Sequence, residues 1–102
     1  VASNVIRERH MMSTEGIFFV TAVISQGMPM AEPELVARGF ISHENTKIMS
    51  ALKKDIEEKT KKMLRERAAA EAIQDFLQRS LKNTIYRLTR RNPIIVVRVI
   101  EV

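Results

Sequence analysis

A chain of 102 residues can enclose one hydrophobic core, and 45% hydrophobic with 28% charged residues excludes a disordered polar tract. The absence of cysteine excludes disulfide frameworks, thiolate metal sites and a cysteine nucleophile, and fits a reducing cytosol. The formal charge of +5 favours a polyanionic partner, and the longest apolar run, Ile17 to Ile24, is far too short for the roughly 20 residues a bilayer span needs.

Residues 1–15 read as a linker into a single domain and contain no signal-peptide pattern; within them Ile6 to Met12 fits either a helical turn or a strand. Gly16 to Ser25, rich in Ile, Phe, Val and Thr, is expected to form a buried strand. Gln26 to Glu34 holds Gly27, Pro29 and Pro33 and reads as a loop. Leu35 to Ile41 is expected to be a short strand, with Gly39 marking a bulge or a close backbone approach.

Ser42 is a plausible N-cap for a helix from His43 to Arg67. Ile48, Met49, Leu52, Ile56, Met63 and Leu64 form its apolar face. The other face offers Lys53–Glu57, Lys54–Glu58, Asp55–Lys59 and Glu58–Lys62 pairs, each worth only about 0.2–0.5 kcal/mol. A second helix, Ala70 to Arg91, carries Ile73, Phe76, Leu77, Leu81, Ile85 and Leu88, and Pro93 is expected to stop it. Nothing between Arg67 and Ala72 forbids one long rod. A break near Arg67 to Ala69 is expected because two amphipathic faces bury better folded back on one sheet. The chain closes on a strand of Ile and Val. The expected fold is therefore α/β (α+β): a small three-stranded sheet with two helices on one face, ordered strand-strand-helix-helix-strand.

Both faces of the strands are apolar. Phe18, Val20, Ala22 and Ile24 alternate with Ile17, Phe19 and Val23, and Ile95, Val97 and Val99 alternate with Ile94, Val96 and Ile100. Two helices cover one face of such a sheet, so the other needs a second cover. That cover is the N-terminal segment, another domain or another copy of the chain, the plainer reading being a fold-over by Met11, Met12 and the Met28–Met30 loop. Ile95, Val97, Val99, Ile17 and Phe19 are the interface candidates, and the sequence does not say which set faces outward.

Charge is uneven: residues 1–46 sum to −2, 47–75 to +2 and 76–102 to +5. Arg87, Arg90, Arg91 and Arg98 are the candidates for RNA phosphates. The plainer reading is a solvated helix end whose cations complement the helix dipole. A strand position between Val97 and Val99 also suggests that Arg98 is partly buried. One tyrosine and four phenylalanines, mostly at core spacing, give little sign of a base-stacking platform.

No catalytic residue and no metal ligand set is proposed. His10 and His43 lie in different segments, Glu32 and Glu34 flank Pro33 without a partner acid or base, and the three glycines are too scattered for a phosphate loop. Met49 and Met63 fall on the apolar helix face and read as core.

The C-terminal stretch resembles a known signature. Tyr86, Thr89, Arg91 and Pro93, with Glu101 and Val102 at the close, are similar to the Y-x-x-T-x-R-x-P helix end and final E-V of the ribonuclease J family. Ala37-Arg38-Gly39-Phe40-Ile41 is similar to that family's S-R-G-F-V segment. Val5-Ile6-Arg7-Glu8-Arg9, followed by Glu15-Gly16-Ile17, resembles its V-L-R-D-R…D-G-I lead-in. The chain departs from the pattern at Asn92, where a third basic residue is usual, and at Val97, where a second proline is usual. The resemblance implies a non-catalytic C-terminal domain of a bacterial cytoplasmic 5′-to-3′ exoribonuclease and endoribonuclease of RNA decay and rRNA maturation. It implies two zinc ions in that parent enzyme and none here, because the H-x-H-x-D-H pattern is missing. Partners implied are the parent's other domains, further copies of the chain as a dimer or tetramer, and RNA, with no membrane. The alternative is an independent basic RNA-binding module with no nuclease parent.

Overall fold

The computed structural model describes residues 16–39 and 45–102. Strand β1 (Ile17–Ser25) is followed by β2 (Met28–Pro29) and β3 (Glu34–Arg38). Helices α1 (Thr46–Arg65) and α2 (Ala70–Thr89) come next, and β4 (Ile94–Glu101) closes the order. This is the expected strand-strand-helix-helix-strand arrangement. The expectations for Ile6 to Met12, His10, Ser42 and His43 lie outside the described residues.

β1 is the central strand. All of it but Ser25, from Ile17 to Ile24, pairs in parallel with Ile94 to Glu101 of β4. A strand has two edges, so β2 and β3 share the other one, both antiparallel to β1. The sheet is three strands wide, its antiparallel side a hairpin return interrupted at residues 30–33. The segment read as a loop therefore contains a tight turn and a short strand. Gln26 and Gly27 both have positive φ, 50° and 75°, as type I′ hairpin turns require. Gly39, at φ 82°, follows β3 rather than bulging it.

Register sorts the side chains. Phe18, Val20, Ala22 and Ile24 are buried under the helices, in rows with Ala37, Leu35, Val97 and Val99. The helices contribute Leu52, Ile56 and Leu64 from α1, and Ile73, Leu77, Leu81 and Ile85 from α2. The stripes read from sequence are this core, with these changes: Leu88 is exposed, Phe76 is only half-buried and outside the core cluster, and Thr60 and Thr84 are buried. Thr60 enters the core because its hydroxyl donates to the Ile56 carbonyl one turn back, at 2.7 Å.

The break between helices falls where expected, and an αL residue makes it. Arg67 has φ 60°, its N–H reaches Leu64 O, and the N–H of Ala68 reaches Met63 O, both at 3.0 Å. These two bonds form a Schellman motif, with Ala68 and Met63 both packed on the core as its usual apolar contact. On α1, Asp55–Lys59 closes at 2.8 Å, and Lys59 also donates to Ser80 Oγ on α2. Lys53 turns away from Glu57 to pair with Glu32 in the β2–β3 connection. Among the described residues no helix is long and apolar enough to cross a membrane.

Candidate interaction surfaces

The face of the sheet opposite the helices carries Ile17, Phe19, Thr21 and Val23 from β1, Val36 from β3, and Ile94, Val96 and Ile100 from β4. Phe19 is 40% exposed beside Phe18 at 0%, and Val36 and Ile100 are exposed as well. One polar row crosses this face, with Glu34 on β3, Thr21 on β1 and Arg98 on β4 as register partners, and Arg38 on β3 stands beside Ile17 in another row. Arg98 is exposed, correcting the expectation of partial burial.

The interface candidates divide between the faces. Ile17 and Phe19 lie on the open side. Ile95, Val97 and Val99 are packed with the helical core, Val97 at 3% exposure, so β4 offers Ile94, Val96 and Ile100 to the open side instead. The Met28–Met30 segment does not cover this face. It bends to the helix side, where with Pro33, Thr60 and Lys61 it walls a mostly apolar groove of about 330 Å³, and Glu32–Lys53 ties the connection to α1. The Glu32 carboxyl is held below its ordinary 4.5, first by the hydrogen bond from Lys53 and then by its charge, against slight desolvation. Lys53 is raised above 10.5 by the same bond.

The outer edge of β4 is closed by side chains. Gln78 donates from Nε2 to the Ile95 carbonyl and accepts the Val97 N–H at Oε1, 3.1 Å. Gln74, one turn earlier on α2, accepts the Val99 N–H at 3.1 Å. The amide of Gln78 thus stands in for the peptide of a neighbouring strand, blocking edge pairing at these positions.

Between α2 and β4 the signature residues build a stop and a turn. Arg90 takes the αL conformation, φ 59°, and its N–H reaches Tyr86 O at 2.8 Å. The Thr89 hydroxyl donates to Ile85 O at 2.7 Å and accepts the Arg91 N–H at 3.1 Å. Pro93 is buried, and the Ile94 N–H then opens the parallel ladder on Gly16 O at 3.0 Å. The helix thus ends at Thr89, four residues before Pro93: the αL residue stops it, and the proline sets the chain into β4. Residues 4–102 match the model of the ribonuclease J C-terminal domain family. The chain belongs to that family. No curated protein matches it.

In this ribonuclease J C-terminal domain the four arginines named from sequence do not form one patch. Arg87, Arg90 and Arg91 are exposed around the end of α2, while Arg98 stands on the open sheet face. The sequence reading missed two exposed cations further up α2, Arg79 and Lys82, which with Gln78, Asn92, Pro93, Ile94 and Ile95 line a groove of about 500 Å³. The signal was present, since residues 79–91 hold five basic residues and no acid. Tyr86 is exposed in the midst of them, with the Arg90 guanidinium 5.7 Å from its ring centroid. Among the described residues no group of three or more His, Cys, Asp or Glu could hold a metal ion, and no step of chemistry is assigned to such a group here.

Proposed function

We propose that this chain is the non-catalytic assembly domain of a ribonuclease J-like enzyme, and that it associates through its open sheet face. The enzyme it serves would be the 5′-to-3′ exonuclease and endonuclease that the family resemblance implies, degrading RNA and maturing rRNA in the bacterial cytoplasm, with its two zinc ions held outside this chain. The observation that carries the reading is the apolar face of Ile17, Phe19, Val23, Val36, Ile94, Val96 and Ile100, uncovered by either helix. Leaving such a surface in water forgoes about 25 cal/mol for each Å² of apolar area.

The polar row favours a second copy as occupant. Glu34 and Arg98 sit on opposite sides of Thr21. A two-fold axis parallel to β1 would set Glu34 of the partner subunit over Arg98, and the reverse, while the apolar row of Val36, Phe19 and Val96 met its own copy. In sedimentation, Val96→Asp and Phe19→Asp should abolish association and leave the fold intact. Glu34→Arg should weaken it and Glu34→Arg with Arg98→Glu should restore it. A clean monomer at high concentration that also fails to bind the rest of the enzyme would overturn the reading.

A second reading, RNA contact by the basic helix end, is favoured by the run of five cations without an acid over residues 79–91. Such contact would be indifferent to base sequence and steeply salt dependent, with a slope of about 0.7 per neutralised phosphate on single strands. Replacing Arg90 and Arg91 by alanine should lower that slope without unfolding the domain. Absence of binding even at low ionic strength would leave these arginines to solubility or docking.

A further inference from the structure

The geometry points to a single-strand binding site on the outward side of α2: a nucleobase stacks on Tyr86, and its flanking phosphates meet Arg79, Lys82 and Arg90. The site rests on the RNA-contact reading and gives it a place and a stacking residue.

Arg79 and Tyr86 are seven residues apart, two turns, so at ~100° per residue they project from nearly the same line along the helix. That line is turned away from the core, since Ile73, Leu77, Leu81 and Ile85 occupy the opposite side. Gln74 and Gln78 hold the flank against β4. Lys82 stands between the line and that flank, at the lip of the groove that runs to Asn92 and Ile94. Arg90 folds back from the αL cap over one face of the Tyr86 ring. The result is an aromatic surface with cations above, below and beside it, and no acid from Arg79 to Asn92.

That composition selects the ligand. A π-surface flanked by cations, with no fixed ring of donors and acceptors, binds any base by its face and the backbone by its charge, as sequence-tolerant single-strand binders do. An acidic protein surface would use the cations but leave the ring without a role. The base takes the ring face that the guanidinium does not cover, and the cap that ends α2 fixes where Arg90 can reach. Arg98, on the far face of the sheet, takes no part.

The chain reports on this site directly, because Tyr86 is its only tyrosine and it has no tryptophan. Titrating the intact chain with a short oligouridylate should quench tyrosine emission at low salt and restore it as salt is raised. By anisotropy of the same labelled oligomer, Tyr86→Ala should weaken binding about 5- to 100-fold and Tyr86→Phe hardly at all. Arg79→Ala with Lys82→Ala should flatten the salt slope by about 1.4, and Lys54→Ala, exposed on α1, should leave it unchanged. All four side chains are exposed, and thermal melts by circular dichroism check that each variant folds. Binding that survives Tyr86→Ala and the Arg79/Lys82 change, or emission that never moves, overturns this site and leaves the RNA reading standing. An absence of binding at low salt overturns both. A polyglutamate peptide that binds as tightly as the oligomer, equally in Tyr86→Ala, would make the surface a protein dock and sink the proposal.

Discussion

Phe18 and Phe19 are the same residue, one peptide bond apart, in the same strand, and they live in different solvents. Phe18 is sealed under two helices; Phe19 stands on a face that no described helix covers. The same split runs through Val97 and Val96 on β4. Both faces are largely apolar, but the open one also carries Glu34, Arg38 and Arg98. The crossover brings α1 and α2 back to the other side and clamps β4 there with Gln74 and Gln78. A face left apolar without that constraint is better explained as a contact surface than as a surplus of core.

The sharpest way to break this comparison is to put a charge on each face in turn. Val97→Asp should unfold the domain, since it buries an unpaired carboxylate in a packed core. Val96→Asp should melt within a few degrees of the parent and lose only association, which a thermal melt beside sedimentation would show. Similar melting of both variants would mean that the open face is structural. Truncation makes a gentler version. Phe18→Ala should cost about 3–5 kcal/mol by chemical denaturation, and Phe19→Ala about 1 kcal/mol or less when measured on the dissociated chain. Next in size is the clamp: Gln78→Ala should cost about 1–3 kcal/mol by leaving the Val97 N–H and Ile95 carbonyl without their partner. It should also raise hydrogen exchange at Val97 above that of its neighbours.

Smaller effects test how the helices were brought to one side. Arg67→Gly should stabilise the chain by roughly 0.5–1 kcal/mol, because glycine takes the αL position of the Schellman turn without a Cβ clash. A loss of stability there would mean that the Arg67 side chain holds the helix pair. The Glu32–Lys53 tie should have the least effect and a defined pH window. The Glu32 carboxyl is depressed, so its contribution is present above the ordinary 4.5 and is lost as pH falls through the lower folded value. Lys53 is raised, so its share is complete below 10.5 and is lost as pH rises through the folded value. The stability difference between parent and Glu32→Gln should therefore be small at neutral pH and vanish on acidification.

Much of the fold was legible because it follows from period. Alternation in Ile17 to Ile24 and Ile94 to Ile100, and stripes at three and four residues in both helices, place the two long strands and both helices, while β2 was hidden in a segment read as a loop. What period does not encode is side. Either face of β1 would have satisfied the pattern, so Ile95, Val97 and Val99 were as plausible an outer set as Ile94, Val96 and Ile100. The turns were obscured by chemistry: Gln26, Arg67 and Arg90 occupy αL positions where glycine or asparagine would have announced them. Gln74 and Gln78 read as solvated polar residues because nothing local reveals that a strand edge will arrive beside them. For the candidate site, the excess charge of the last quarter was visible. Its grouping was not, because Arg98 is close in sequence to Arg91 but on the opposite side of the sheet.

The parallel pairing of β1 with β4 has a consequence in time. β1 can close its hairpin with β2 and β3 as soon as they are made, but its second edge waits for a strand that follows both helices. Contacts so distant in sequence form late, after a long loop has closed. Throughout that interval the middle strand of the domain is itself an edge, apolar on both faces, and α2 has no strand for its glutamines to hold. The family signature at Tyr86 to Pro93 stands at the last hinge of this sequence. By fixing where α2 ends and where the chain turns, it shortens the search of β4 for its place, and the domain is complete only when its final eight-residue strand has docked.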